Sequence, residues 1–252
     1  MGGNIRSLAW LASGLAEQGS IVVSVNHPNS TWGNFDLAEG LKHWTRAQDL
    51  SRALDALMAD PKFAGHIDNS RIMAAGCSYG GWTALSLGGL KGNYAGFVAH
   101  CEEFGERSSY CAELLRADIG LADLPTTDWN AVYDDPRVSQ VVAIEPGLNW
   151  GTKAGDLDGM LEKVRLIGLG EGNDWLLGTD FDASGFADLL PNASIDRIVP
   201  AFHFTELPLC KPMGAAILVE EEDDPVCTDP EGTARRQVHD LIIERMIADL
   251  GL

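Results

Sequence analysis

Apolar positions along the chain fall into blocks of two different periods. Residues 4 to 18 carry Ile5, Leu8, Leu11 and Leu15 at helical spacing, and Gly19 follows as a stop. Ser20 to Val25 is a β-branched run, apolar nearly throughout, the pattern of a buried parallel strand. A polar loop, 26–33, comes next. Residues 39 to 59 read as a long amphipathic helix with Leu41, Trp44, Leu50, Leu54 and Leu57 on its apolar side, ended by Asp60 and Pro61. A short apolar strand at 71–75 leads through a glycine-rich turn into an apolar helix from Gly81 that stops near Gly88 and Gly89. Residues 92 to 137 offer one short apolar stretch, Ala95 to Ala99, and many turn formers between Pro125 and Pro136. They are read as an irregular excursion over one face. Val138 to Ile144, Lys163 to Leu169 and Ile195 to Phe202 are further strands, with a short helix around Phe186 to Leu190 and a closing helix over 233–250. An acidic loop occupies about 210–231. Strands alternating with helices predict an α/β fold: one domain over 1–252, with a doubly wound, mostly parallel sheet flanked by helices and sites at the strands' C-terminal ends.

The glycine-rich turn changes this picture from a fold to a chemistry. Gly76-Cys77-Ser78-Tyr79-Gly80 places a serine at the apex of a strand–turn–helix, with a glycine two residues to either side. A serine on so sharp a turn is strained, and only residues without side chains let strand and helix pass so close beside it. The hydroxyl is held out of the sheet, with a helix N-terminus behind it that favours developing negative charge. This arrangement resembles the nucleophile elbow of the α/β hydrolases. A register shifted to Cys77 fails, because it puts Ala75 and Tyr79 where the glycines belong.

A serine hydroxyl needs an imidazole to take its proton, and the imidazole needs a carboxylate to hold its tautomer. Of the six histidines, His203 stands at the end of the last strand, after the serine and after every candidate acid. His43 and His239 lie within helices, His66 precedes the elbow strand, His27 follows an earlier strand and His100 neighbours a cysteine. Chain order selects His203. For the acid, Asp174 lies in the loop after the strand preceding the histidine strand and is the first choice; Glu145, one strand earlier, and Asp180 are the alternatives. Tyr79 and Trp32 are candidate acyl-pocket residues.

Composition narrows the partners. The 37 acidic and 18 basic residues give a net charge of -19, which repels phosphate backbones and argues against nucleic acid. No apolar run approaches a membrane span. Of five cysteines, Cys101 and Cys111 flank one polar loop and Cys210 and Cys227 flank the acidic one, with Cys77 left beside the serine. Two local pairs and an odd cysteine point to two disulfides and a buried thiol; the alternatives are metal ligands or reduced core thiols, and no CxxC spacing supports a metal. The acidic run Glu220 to Asp224 lacks the alternating pattern of a calcium loop.

The Gly-Cys-Ser-Tyr-Gly-Gly elbow, the Val-Ser-Val-Asn-His-Pro segment, the Gly-Asn-Asp loop, the Phe-His-Phe stretch and the Cys210 to Cys227 segment resemble the dienelactone hydrolase-like and platelet-activating-factor acetylhydrolase-like branch of the α/β hydrolases, over nearly the whole chain. The resemblance implies hydrolysis of small esters or lactones without a cofactor, often by exported proteins. Serine in place of the cysteine of true dienelactone hydrolases argues against that particular activity. The resemblance also implies a mid-sheet strand ending in His-Gly-x-Gly before the first helix, of which only Met1-Gly2-Gly3 stands here. Either the true start lies upstream, or the N-terminal strands are missing, which would leave two unpaired edges. Met1 would take the oxyanion position, with the Tyr79 N–H as its partner. The expected function is a serine carboxylic-ester hydrolase acting on a small-molecule ester, periplasmic or secreted if the disulfides form. The alternatives are an inactive hydrolase-fold protein and another triad enzyme, a lyase or perhydrolase.

Overall fold

A computed structural model describes residues 2–252, with the side chain of Asp174 outside the described set. In chain order the elements are α1 (Ala9–Glu17), β1 (Ser30–Thr31), β2 (Asn34–Phe35), α2 (Leu37–Gly40), α3 (His43–Ala59), β3 (Met73–Cys77), α4 (Tyr79–Leu87), α5 (Tyr94–Phe104), α6 (Ser109–Arg116), α7 (Thr126–Trp129), β4 (Gln140–Ile144), β5 (Val164–Leu169), β6 (Ser194–Ile198), α8 (Gly214–Glu220) and α9 (Arg235–Leu250). β3 to β6 form one parallel sheet in sequence order, in register from Met73 opposite Gln140 to Leu169 opposite Ile198. This is an α/β fold.

The strands explain the layering. Successive side chains on a strand face opposite ways, so Val141 and Ala143 of β4 join one apolar cluster while Val142 and Ile144 join another. The first cluster gathers α3, α4 and the helices after them around Trp82, Trp129, Phe181 and Phe186. The second is closed by Leu11 and Leu15 of α1 and by Val238, Ile242 and Met246 of α9, the last three repeating at i, i+4, i+8. Arg165, on the second face of β5, pairs with Asp249 of α9 and Asp196 of β6, binding the helix to the sheet.

Several expectations are corrected. Ser20 to Val25 is not a strand: among the described residues it has no ladder partner, and Ile21, Val22 and Val23 are partly exposed. A β-branched run becomes a strand only beside another strand, and here a cavity of about 290 Å³ lies between this segment and β3. The outer edge of β3 is likewise unpaired among the described residues. The stretch 92–137 is not irregular but carries α5, α6 and α7, whose Phe97, Tyr110, Leu114 and Trp129 are buried. The acidic 210–231 loop contains α8. The expected helix around Phe186 tightens to a single 3-10 turn, Ala187–Leu189, and β6 ends at Ile198, earlier than Phe202. Among the described residues no helix is long and apolar enough to cross a membrane.

Cys101 is bridged to Cys111, and Cys210 to Cys227, with Cα separations of 5.3 and 5.7 Å; Cys77 is free and buried. Two disulfides point to an oxidising compartment. Non-reducing peptide mapping should therefore recover these two bridged pairs and leave Cys77 alone to alkylation after unfolding. Each bridge should contribute about 3 kcal/mol to stability in the chain-entropy account. Three or more alkylated cysteines in protein matured under oxidising conditions would contradict the pairing.

Candidate active site

Ser78 sits between β3 and α4 with φ 54° and ψ -120°, a left-handed conformation that disfavours any side chain. Its backbone is pinned from both sides. Ser78 N–H donates to the Ile144 carbonyl at 2.8 Å, and its own carbonyl accepts from Gly147 N–H at 3.1 Å and from Trp82 N–H at 3.1 Å. The glycines around it are not equivalent. A Cβ on Gly76 would lie 2.4 Å from the Gly80 carbonyl oxygen, and one on Gly81 would lie 3.0 Å from the Ile144 carbonyl. A Cβ on Gly80 would meet nothing. The close approach is therefore made at 76 and 81, and Gly80 supplies backbone for Gly76 to pass.

His203 follows β6 and opens a 3-10 turn, His203–Glu206. Its Nδ1 lies 3.3 Å from Glu145 Oε2. Glu145 is fully buried at the end of β4, at a left-handed φ of 47°. Its carboxylate also accepts from Leu169 N–H (2.6 Å) and from Thr179 Oγ1 (2.9 Å). Burial pushes the Glu145 carboxyl above the usual range, while His203 and these donors oppose the shift. The side chain of Asp174, the first choice from chain order, lies outside the described residues. So does Met1. Asp180, the third choice, accepts from Asp182 and Ala183 N–H and so caps its own turn.

Ser78 and His203 open onto one cavity of about 600 Å³, but in this state no hydrogen bond joins them. Catalytic hydrogen bonds commonly tighten only around substrate. Tyr79 and Trp32 line the same cavity. Tyr79 is buried and fixed by its hydroxyl, which donates to the Gly40 carbonyl at 2.7 Å. As the first residue of α4 its N–H lacks an intrahelical acceptor and is free to bind an anion. Trp32 is 80% exposed, at the rim.

Two neighbours escaped sequence reasoning. Tyr110 is buried with its hydroxyl close to the Ser78 side chain, yet without a partner of good hydrogen-bond geometry. Glu206, three residues after His203, is buried against Cys77 and His203, with Oε2 unpartnered. Burial raises its carboxyl to about 7, although His203 and Cys77 hold it down. Nothing in the sequence singled out either residue. The His203 imidazole is raised above its ordinary value: burial opposes the charge, but Glu206 and Glu145 together outweigh it. Among the described residues no three His, Cys, Asp or Glu side chains converge as a metal site. Comparison with family models, curated proteins and solved structures returns no match.

A base must be neutral to accept a proton, so a raised His203 places the acid limb of any His203-dependent activity above the ordinary imidazole range. Glu206→Gln removes a negative charge that favours the imidazolium, and the limb should then move to lower pH. An unchanged limb in a kcat/KM–pH profile would show that Glu206 does not act on His203.

Proposed function

We propose that this protein is a serine carboxylic-ester hydrolase of α/β-hydrolase type, within the branch that its sequence resembles. The observation that carries the reading is the pairing of a strained Ser78 at the β3–α4 turn with a carboxylate-held His203 on the wall of the same cavity. Ordinary glycine-rich βα turns need neither the strain nor the imidazole.

In this reading His203 Nε2 takes the Ser78 proton as Oγ bonds to the ester carbonyl carbon. The oxyanion that forms is received by the Tyr79 N–H, at the N-terminus of α4. The carbon–oxygen bond to the alcohol then breaks, and the alcohol leaves with the proton from His203. Water repeats the sequence on the acyl-enzyme: His203 takes its proton, hydroxyl adds to the carbonyl carbon, and Ser78 is released with that proton, leaving the carboxylic acid. Glu145 keeps Nδ1–H pointed at itself, so Nε2 stays available, and stabilises the transient imidazolium. We assign the orienting role to Glu145, whose Oε2 lies within reach of Nδ1; the side chain of Asp174 lies outside the described residues. The two disulfides favour an exported enzyme.

Ser78→Ala should abolish hydrolysis of a 4-nitrophenyl ester and labelling by a fluorophosphonate, with a loss in kcat on the order of 10⁶. Activity within tenfold of wild type would overturn the nucleophile. For the acid, Glu145→Gln should cost several orders of magnitude in kcat and Asp174→Asn little; the reverse ranking would restore the choice that chain order made.

A further inference from the structure

Inside the cavity one guanidinium has no carboxylate bonded to it. Arg46 projects from α3 to line the same wall as Ser78, Tyr79, Thr31 and Ser30. Its guanidinium lies over the Tyr79 ring, 4.4 Å from the centroid. Nε donates to Thr83 Oγ1 at 2.9 Å and Nη1 to Ser30 Oγ at 2.6 Å. Both partners are neutral hydroxyls. Three of the five guanidinium N–H groups make no bond to the described residues.

The nearest candidate for a counter-ion on the same helix is already engaged. Asp49 gives Oδ1 to Arg52 (2.9 Å) and Oδ2 to His27 (3.1 Å). The chain's other arginines that are buried or part-buried show what is normal here. Arg137 is held by Asp135 and Asp55, Arg165 by Asp249 and Asp196, and Arg235 by Asp229. With 37 acidic residues against 18 basic ones, carboxylates are plentiful, so a part-buried arginine with no bonded carboxylate is the exception. Burial lowers the Arg46 pKa, yet guanidinium remains charged in proteins. His27 beside it is lowered to about 4 by burial and by Arg46, and is neutral near pH 7. Asp49 supports this charge through space, yet no carboxylate bonds the guanidinium, and a part-desolvated charge gains from a partner that does.

We propose that Arg46, held by Ser30 and Thr83 over the Tyr79 ring, is an anion subsite, and that the ester hydrolysed here carries a free carboxylate, as a half-ester of a dicarboxylic acid does. The proposal rests on the esterase reading for its substrate and on Arg46 for its charge. A monoanionic carboxylate is favoured over phosphate because Glu206, Asp223 and Asp224 on the same cavity walls repel a dianion more strongly.

The test compares kcat/KM for the monoethyl esters of succinate, adipate and suberate with those for ethyl butanoate, hexanoate and octanoate. Wild type should favour the half-ester by about tenfold or more in at least one pair, the worth of one charge-assisted hydrogen-bonded contact. Arg46→Gln should bring that ratio to one or below, and Arg46→Lys should keep part of it. Calorimetric titration of Ser78→Ala protein leaves Arg46 in place: monoethyl adipate should bind and ethyl hexanoate should not. Equal kcat/KM across every pair, or no difference in binding, overturns the subsite. If inorganic phosphate binds Ser78→Ala more tightly than monoethyl adipate does, the carboxylate assignment is overturned. If neither ester class is hydrolysed, the esterase reading fails. Selective binding of the half-ester by wild-type protein would then still support the Arg46 subsite, and its absence would still overturn it.

Discussion

The close passage of β3 against the start of α4 is the constraint from which the candidate site follows. Gly76 runs so near the Gly80 backbone that no side chain fits, and Gly81 does the same against the end of β4. Between them the chain must reverse, and the residue at the reversal is Ser78, at a left-handed φ. Such a conformation costs on the order of 1–3 kcal/mol and persists only where the surroundings over-determine it. Here they do. The Ser78 backbone bonds Ile144 and Gly147, so the end of β4 holds the elbow as firmly as β3 does. The same β4 end carries Glu145, also at positive φ. Serine and carboxylate are thus fixed by one pair of adjacent strands, and His203 is brought to them from the far side of the sheet.

Around that elbow sits a buried polar cluster: Glu145, His203, Glu206 and the Cys77 thiol, whose pKa burial raises well above its ordinary value, with Glu206 adding to the shift. Two carboxyls share one imidazole. Both carboxyls are raised by burial, and His203 is raised by both. Buried charge is tolerated only with partners. Glu145 has three donors, whereas Glu206 leaves an oxygen unpartnered. The asymmetry fits different roles. A satisfied carboxylate orients; a poorly satisfied one near its neutral form adjusts the charge on its neighbour.

Much of this was legible in the sequence because it rests on local patterns. The apolar runs at 138–144 and 163–169 became β4 and β5 nearly residue for residue, and the elbow was visible from glycine spacing. What was not legible depends on partners distant in the chain. Ser20 to Val25 has the composition of a strand, but composition cannot supply a neighbour, and the segment lies unpaired. The helices α5 to α7 are short and broken by turn formers, so their period was hidden until packing buried Phe97, Leu114 and Trp129. Chain order put Asp174 ahead of Glu145; the backbone turn after Ile144, which brings the Glu145 carboxylate to the imidazole, has no signature in the sequence. Nothing in the sequence marks Arg46 among the polar positions of its helix, because the lack of a bonded carboxylate has no sequence signature.

The two chain ends meet behind His203, and this ties its position to global stability. Trp10 of α1 stacks on His239 of α9 with ring centroids 3.7 Å apart. Each then bonds the turn that carries the histidine: Trp10 Nε1 donates to the Glu206 carbonyl and His239 Nε2 lies 2.8 Å from the Thr205 carbonyl. Thr205 Oγ1 donates to Asp229, which Arg235 grips through Nε and Nη2 while also reaching the carbonyls of Pro208 and Val226. Those two carbonyls flank the Cys210–Cys227 bridge. The bridge, the arginine and the aromatic stack therefore act on one short turn. Among the described residues no further strand pairs beyond β6, so the imidazole depends on these contacts where the serine and Glu145 depend on the sheet. Loosening of the 208–229 segment would then disturb the imidazole before it disturbs the elbow, because the two are held by separate parts of the fold.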